Sequence, residues 1–418
     1  MDKKIKLGVM GGGRGKDLIY YCMLDDRIEL HAVCDFNKDV LNEVDRALKE
    51  NGVTAELYEN FDDFIESGID AVILANYANE HVPFAIRCLE KHISVLSEVV
   101  LARNLDEIVR LCDAVEKSDA IYVYGENYCY SDAAREMKRL CDKKLLGEIE
   151  YAEGEYVHNC EDIWPRLTYG DKNHWRNRKH AFYYCTHSLG PIIHSTGLRP
   201  VSVVGFEGKY NNKMYRMGAY SAPFAVENVV LNNGAIVKSL HGELTKNSVY
   251  YAIYGSLGRI ESARTAAKEP EGTVYVSLDT EEGKSCDEID KFVPEYQYPE
   301  NLDVRSFHAR ADYVMLKNFV SAVKGEKADV IDVYEATDMF LPGLFAYKSA
   351  LNGEIPQEIP DFRDKKVRER YRGDVACVDE NIAGKDVLPS CSKGDAVIPD
   401  EIYDEIKRKF YEEQNKDK

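Results

Sequence analysis

The sequence predicts two domains of different class: an α/β domain built on a doubly wound parallel sheet, then an α+β domain with a mostly antiparallel open sheet and helices. Three observations carry this. Residues 1–130 alternate short apolar runs with amphipathic stretches, the pattern of βαβ units. From about Ser131 the runs lengthen and alternate with a period of two, as half-buried strands do. The chain has 418 residues, too many for one module at roughly 100–200 residues per domain.

In the first part, the runs Ile5–Met10, Ile28–Cys34, Ala71–Ala75, Ser94–Ser97 and Ile121–Tyr124 read as buried strands. Helix-like segments lie near Lys38–Asn51, Phe61–Glu66, Glu80–Lys91 and Leu105–Lys117. A helix over Asp132–Lys144 leads into the second part. There, strands are expected over Glu148–His158, Val201–Lys209, Ala225–Leu231, Ala235–Leu244, Val249–Tyr254 and Thr273–Leu278. Asn232-Asn233-Gly234 between two of them is hairpin chemistry, because Asn and Gly tolerate positive φ. Helices return at Ala309–Lys324 and Tyr334–Asn352, and Asp400–Gln414 reads as a terminal helix. The expected division is 1–130, 131–375 and a charged extension over 376–418.

Composition narrows the function. Apolar types are 44% and charged types 30% of the chain, an ordinary globular balance. Lys and Arg number 54 against 73 Asp and Glu, a net charge of −19. That sign repels phosphate backbones, so no nucleic-acid partner is expected. No run approaches the roughly 20 apolar residues of a membrane span, so no membrane partner is expected either. Met1-Asp2-Lys3-Lys4 is followed by an apolar run that breaks into glycines, which is no signal-peptide core. The eleven scattered cysteines are then expected as reduced thiols in the cytoplasm.

The strongest local signal follows the first strand. Gly8-Val9-Met10-Gly11-Gly12-Gly13-Arg14-Gly15 opens a helix, where glycines allow a tight turn and close backbone approach to a pyrophosphate. Its Gly-x-Gly-x-Gly spacing is one residue short of the usual third glycine. Asp35 ends the second strand, 24 residues after Gly11. An acid there accepts hydrogen bonds from ribose hydroxyls and repels a 2′-phosphate, selecting NAD over NADP. Turn, strand and acid together predict a Rossmann domain that binds NAD.

Four landmarks over residues 4–375 resemble the Gfo/Idh/MocA oxidoreductases: this fingerprint, the loop Asn76–His81, Glu98, and His187 opening a helix. Members of that family are two-domain enzymes acting mostly on sugars, and usually read Glu-Lys-Pro at the third landmark, with the Lys serving in proton transfer. This chain reads Glu98-Val99-Val100 and has Tyr183 where an Asp often precedes the His. These departures are similar to one branch, the NAD-dependent glycosidases of the α-N-acetylgalactosaminidase type. Matching motifs are Glu98-Val99, His81-Val82-Pro83, Glu126-Asn127-Tyr128-Cys129-Tyr130, Gly147-Glu148-Ile149, Tyr156-Val157-His158, Trp175-Arg176 and Tyr184-Cys185-Thr186-His187-Ser188-Leu189-Gly190-Pro191. Val100 replaces the branch's Pro, Asn159 its usual acid, and the aromatic residues before His81 are gone.

The resemblance implies that Gly11, Gly12, Gly13, Arg14, Asp35, Asn76, His81, Glu98, Val99, Asn127 and Trp175 contact the cofactor. It implies His187 and Tyr184 as catalytic, and Tyr156, Arg176 and Glu98 as sugar-binding. Each type also has a purely structural reading. Glu98 can cap a helix, Asn127 can bond its own backbone, His81 can pack at a helix start, Tyr156 can be one packing tyrosine of 28, and Arg176 can sit in a solvated basic loop. The polar setting of His187 argues most strongly for function, since burying such groups is costly.

The implied chemistry is a redox-neutral hydrolysis. Oxidation at C3 of a bound pyranoside acidifies the hydrogen at C2, which Tyr184 or His187 can then remove. The C1 substituent leaves, water adds and the hydride returns to C3. No carboxylate pair at glycosidase spacing is needed. A simple NAD-dependent sugar or polyol dehydrogenase is the alternative, and a non-catalytic NAD-binding sensor is another. No metal is expected, since no ligand pair has zinc-site spacing. The long alternating strands suggest a homo-oligomer, a dimer or tetramer.

Overall fold

The computed structural model describes residues 3–264, 269–279, 288–303 and 308–414. They form two compact units.

The first unit holds Met1–Arg135, Pro294–Thr337 and Phe362–Gly373. Its sheet contains β1 (Ile5–Met10), β2 (Ile28–Cys34), β3 (Glu56–Tyr58), β4 (Ala71–Leu74), β5 (Ser94–Glu98) and β6 (Tyr122–Gly125). The order is β3-β2-β1-β4-β5-β6, and every pairing is parallel. β4, β5 and β6 are buried along their whole length, as strands covered on both faces must be. Strand order reverses between β1 and β4, and ligands of such sheets bind outside the strands' C-terminal ends at that point. Three asparagines start three of the helices. Asn37, Asn60 and Asn104 accept the N–H of Asp39, Asp63 and Glu107 at the heads of Lys38–Glu50, Phe61–Ile65 and Leu105–Lys117, caps worth about 1 kcal/mol each. β3 has only three residues and none of them is buried, so it left no periodic signal.

This unit is discontinuous in sequence. Tyr313, on the helix Ala309–Val323, meets Tyr21 edge to face. The side chain of Arg368 is fully buried and pairs with Asp113 at 3.2 Å and with Glu116 at 2.5 Å.

The second unit holds Glu136–Val293, Asp338–Asp361 and Asp374–Lys418. Its strands are β7 (Ile149–Val157), β8 (Pro200–Glu207), β9 (Phe224–Leu231), β10 (Ile236–Gly242), β11 (Ser248–Gly255), β12 (Gly258–Ser262), β13 (Val274–Leu278), β14 (Asp290–Phe292) and β15 (Gln357–Glu358). The order is β14-β13-β12-β11-β7-β10-β9-β8-β15. All described pairings are antiparallel except β7 with β10. The β9–β10 turn is the expected one: Gly234 has φ +91°, and Asn233 Oδ1 accepts the Ala235 N–H at 3.0 Å.

One sheet face is covered by the helix Thr186–Thr196, and glycine makes that contact possible. A Cβ on Gly154 of β7 would lie 1.8 Å from the Ser188 carbonyl oxygen. On β8, a Cβ on Gly205 would lie 2.3 Å from that of Ala346.

The helix Asp400–Gln414 belongs to a satellite core of Cys160, Trp164, Met214, Met217, Ala219, Ile398, Tyr403 and Ile406. Tyr403 donates to the Gly218 carbonyl at 3.0 Å, while Trp164 Nε1 donates to Asn177 at 3.2 Å. The charged extension thus anchors the segment that carries Arg176. Ile406→Ala is expected to cost about 2–5 kcal/mol, read as a lower urea midpoint. An unchanged midpoint would show that this packing adds nothing.

No described helix is long and apolar enough to cross a membrane. Ten cysteines are free thiols, and Cys286 lies outside the described residues.

Candidate active site

In the first unit the glycine turn is held from several sides. Gly11 has φ +94°, and a Cβ there would lie 2.4 Å from the Ala75 carbonyl oxygen. Its N–H donates to the Cys34 carbonyl at 2.8 Å. Asp35 accepts the Gly12 N–H on Oδ2 and the Asn37 N–H on Oδ1, both at 2.8 Å. At Gly13 an added Cβ would meet open space, so the turn is accessible at its crest.

Arg14 leaves this turn to join two carboxylates. Its Nη2 is 2.6 Å from Glu98 Oε1 and 3.2 Å from Asp312 Oδ2. Asn127 Nδ2 donates to Asp312 Oδ1 at 2.8 Å. Burial alone would lower the Arg14 pKa, but Glu98 and Asp312 hold it above its ordinary value, so the guanidinium stays charged. Asp312 was not anticipated from sequence. The available hint was its place on an otherwise apolar helix face with Met315, Leu316 and Phe319.

His81 sits between two backbone carbonyls, Nδ1 3.2 Å from that of Val100 and Nε2 3.3 Å from that of Asn76. Burial pushes its pKa down to about 4, against the raising effect of those carbonyls. The ring is therefore neutral and can donate to only one of them at a time. It staples the loop after β4 to the segment after β5, where the Val99–Val100 peptide is cis. The buried amide oxygens of Asn76 and Asn127 have no partner among the described residues. Those oxygens, the acid Asp35 and the open turn fit a ligand rich in hydroxyl and amide donors, as NAD is.

The second unit gathers the other expected residues. Tyr156 ends β7, Trp175 and Arg176 lie on the short helix Trp175–Arg178, and His187 opens Thr186–Thr196. The His187 ring lies 4.5 Å from that of Tyr156 and stacks on that of Tyr184 at 5.8 Å. Arg176 Nη1 donates to Tyr184 Oη at 3.1 Å, and its guanidinium lies over Trp175 at 4.6 Å. Trp175 also stacks on His174; its indole N–H is buried without a partner among the described residues.

Three further groups belong to this cluster. Tyr156 donates from Oη to His158 Nδ1, or accepts from it, at 3.2 Å. Lys179 Nζ lies 5.4 Å from the Tyr184 ring centroid and donates to Glu243 Oε1 at 3.3 Å. Glu243 Oε2 accepts the Cys160 N–H at 3.2 Å. Burial lowers the pKa of His158, with His187, Arg176 and Lys179 adding to the effect and Glu243 opposing it. Sequence reading named neither Lys179 nor Glu243 as site residues; the expected strand Ala235–Leu244 ran through Glu243, whereas the structure ends β10 at Gly242 and places the acid directly after it. Among the described residues, no group of three or more His, Cys, Asp and Glu could hold a metal.

Residues 5–126 match the family model described as oxidoreductase family, NAD-binding Rossmann fold. Residues 228–369 match the glycosyl hydrolase 109, C-terminal domain. A glycosyl hydrolase family 109 protein of Solibacter usitatus is 24% identical over 88% of this chain and 90% of its own. An alpha-N-acetylgalactosaminidase of Bacteroides fragilis is 24% identical over 86% and 92% respectively. An oxidoreductase from Agrobacterium radiobacter, solved in complex with NAD+, L-tartaric acid and magnesium, has a TM-score of 0.70 at 14% identity, covering 85% of this chain and 98% of that one; this likeness is one of fold. The chain is thus similar to the Gfo/Idh/MocA oxidoreductases over its NAD-binding Rossmann domain, and to glycosyl hydrolase 109 over the C-terminal domain that follows on the same chain.

Proposed function

We propose that this protein is an NAD-dependent glycosidase that cleaves its substrate by transient oxidation, elimination, hydration and re-reduction. The pairing of an NAD-binding domain with a glycosyl hydrolase 109 domain on one chain carries the reading. The curated relatives, one an alpha-N-acetylgalactosaminidase, support it.

Bound NAD would supply a reversible hydride acceptor. Gly11, Gly12 and Gly13 would hold it by close backbone approach, Asp35 would accept from ribose hydroxyls, and Asn76 and Asn127 would offer amide oxygens. Glu98, fixed by Arg14, keeps a carboxylate at the C-terminal end of β5. Tyr184 Oη and the His187 imidazole take up and return protons at the sugar. Arg176 orients Tyr184 through its hydrogen bond to Oη, and Tyr156 packs against His187. The free thiols support a reducing, cytoplasmic setting. The exposed Phe206 on β8 and Ile236 on β10 support homo-oligomer formation.

With NAD and a panel of aryl glycosides, aglycone release without net NADH is expected. NADH accumulating with the glycosidic bond intact would make the protein a simple sugar dehydrogenase instead.

A further inference from the structure

We infer that the sugar taken by the second unit carries an anionic group, a carboxylate or a sulfate, that pairs with Arg176. The inference deepens the glycosidase reading and rests on it for the statement that the ligand is a sugar. Arg176 is half-buried, yet its partners are neutral: Tyr184 Oη and the faces of Trp175 and Tyr184. Among the described residues no carboxylate lies within ion-pair distance of it.

The neighbouring charges, Glu243 among them, act on Arg176 only from beyond ion-pair distance. Glu243 is already held by Lys179 and by the Cys160 N–H, and Lys213 caps the carbonyls of Glu243 and Leu244. Glu161 pairs with Arg216 at 2.8 Å. The cluster therefore holds Arg176, Lys179 and Lys213 against one carboxylate, a surplus of positive charge, and Arg176 has no carboxylate paired to it among the described residues. A guanidinium withdrawn from water without a counter-ion is unfavourable. Its planar fork of N–H donors matches a carboxylate or sulfate edge bidentately. The indole N–H of Trp175, buried without a partner among the described residues, adds a donor and no acceptor. Such a cluster of donors suits an acceptor-rich anion better than a hydroxyl.

The test uses the NAD-loaded protein. Calorimetry compares free glucuronic and galacturonic acids and a 6-sulfated hexose with their neutral parent sugars, needing no turnover. At least one acid is expected to bind about tenfold or more tighter than its neutral parent, and the carboxylate and sulfate arms identify which. In Arg176→Gln that preference is expected to fall to about parity, and in Arg176→Lys to be partly kept. No acid binding tighter than its parent, or a preference unchanged in Arg176→Gln, overturns the inference. Aryl glycosides of the same sugars keep the two claims apart. Acid binding without aglycone release upholds the anion site and sinks the glycosidase reading. Release from neutral glycosides alone does the reverse.

Discussion

His187→Ala is expected to lower kcat on an aryl glycoside by about 10²–10⁴-fold, the usual contribution of a positioned acid–base group. The ring stands at the head of Thr186–Thr196, between Tyr156 and Tyr184. Its backbone carbonyl is fixed separately, accepting from Tyr251 Oη at 2.6 Å. Truncation therefore removes the imidazole while leaving that anchor in place. Steady-state kinetics with circular dichroism as the fold control makes the check. Undiminished turnover would show that His187 takes no part in the proton transfers.

Gly154→Ala is expected to be among the most destabilising single changes in the second unit, about 3 kcal/mol or more. Overpacking a close contact typically costs 1–3 kcal/mol, and here the new Cβ would lie 1.8 Å from a backbone oxygen. No rotamer can relieve it, so the helix carrying His187 must lift from β7. Stability and kcat should fall together, with urea unfolding read beside turnover. An unfolding free energy within about 0.5 kcal/mol of wild type, the range of ordinary surface changes, would show that the helix is not seated as described.

Much of this architecture was legible in the sequence, and the misses have physical causes. β1, β2 and the helix Leu105–Lys117 have the bounds their apolar runs suggest, because burial on a regular period leaves a direct trace. The edge strand β3 left none, since three partly exposed residues have no period to read. The glycine turn and Asp35 were visible because they lie close in sequence and demand particular residue types. Asp312 was not, since it meets Arg14 across 298 residues, and no local pattern reports such a pairing. The same holds for Lys179 and Glu243, 64 residues apart. His81 shows the opposite limit. Its motif stood out, but only the structure places both ring nitrogens on backbone carbonyls, which makes it a positioning residue for its loop.

The most direct test of the oxidation–elimination account is turnover of an aryl glycoside in deuterium oxide, with the sugar product examined at C2. The account predicts deuterium at C2 in the product, alongside aglycone release without net NADH, because the C2 proton passes to a side chain that exchanges with solvent before C2 is protonated again. Cleavage with protium fully retained at C2 would contradict it, since the bond would then have broken without the proton transfer assigned to Tyr184 and His187.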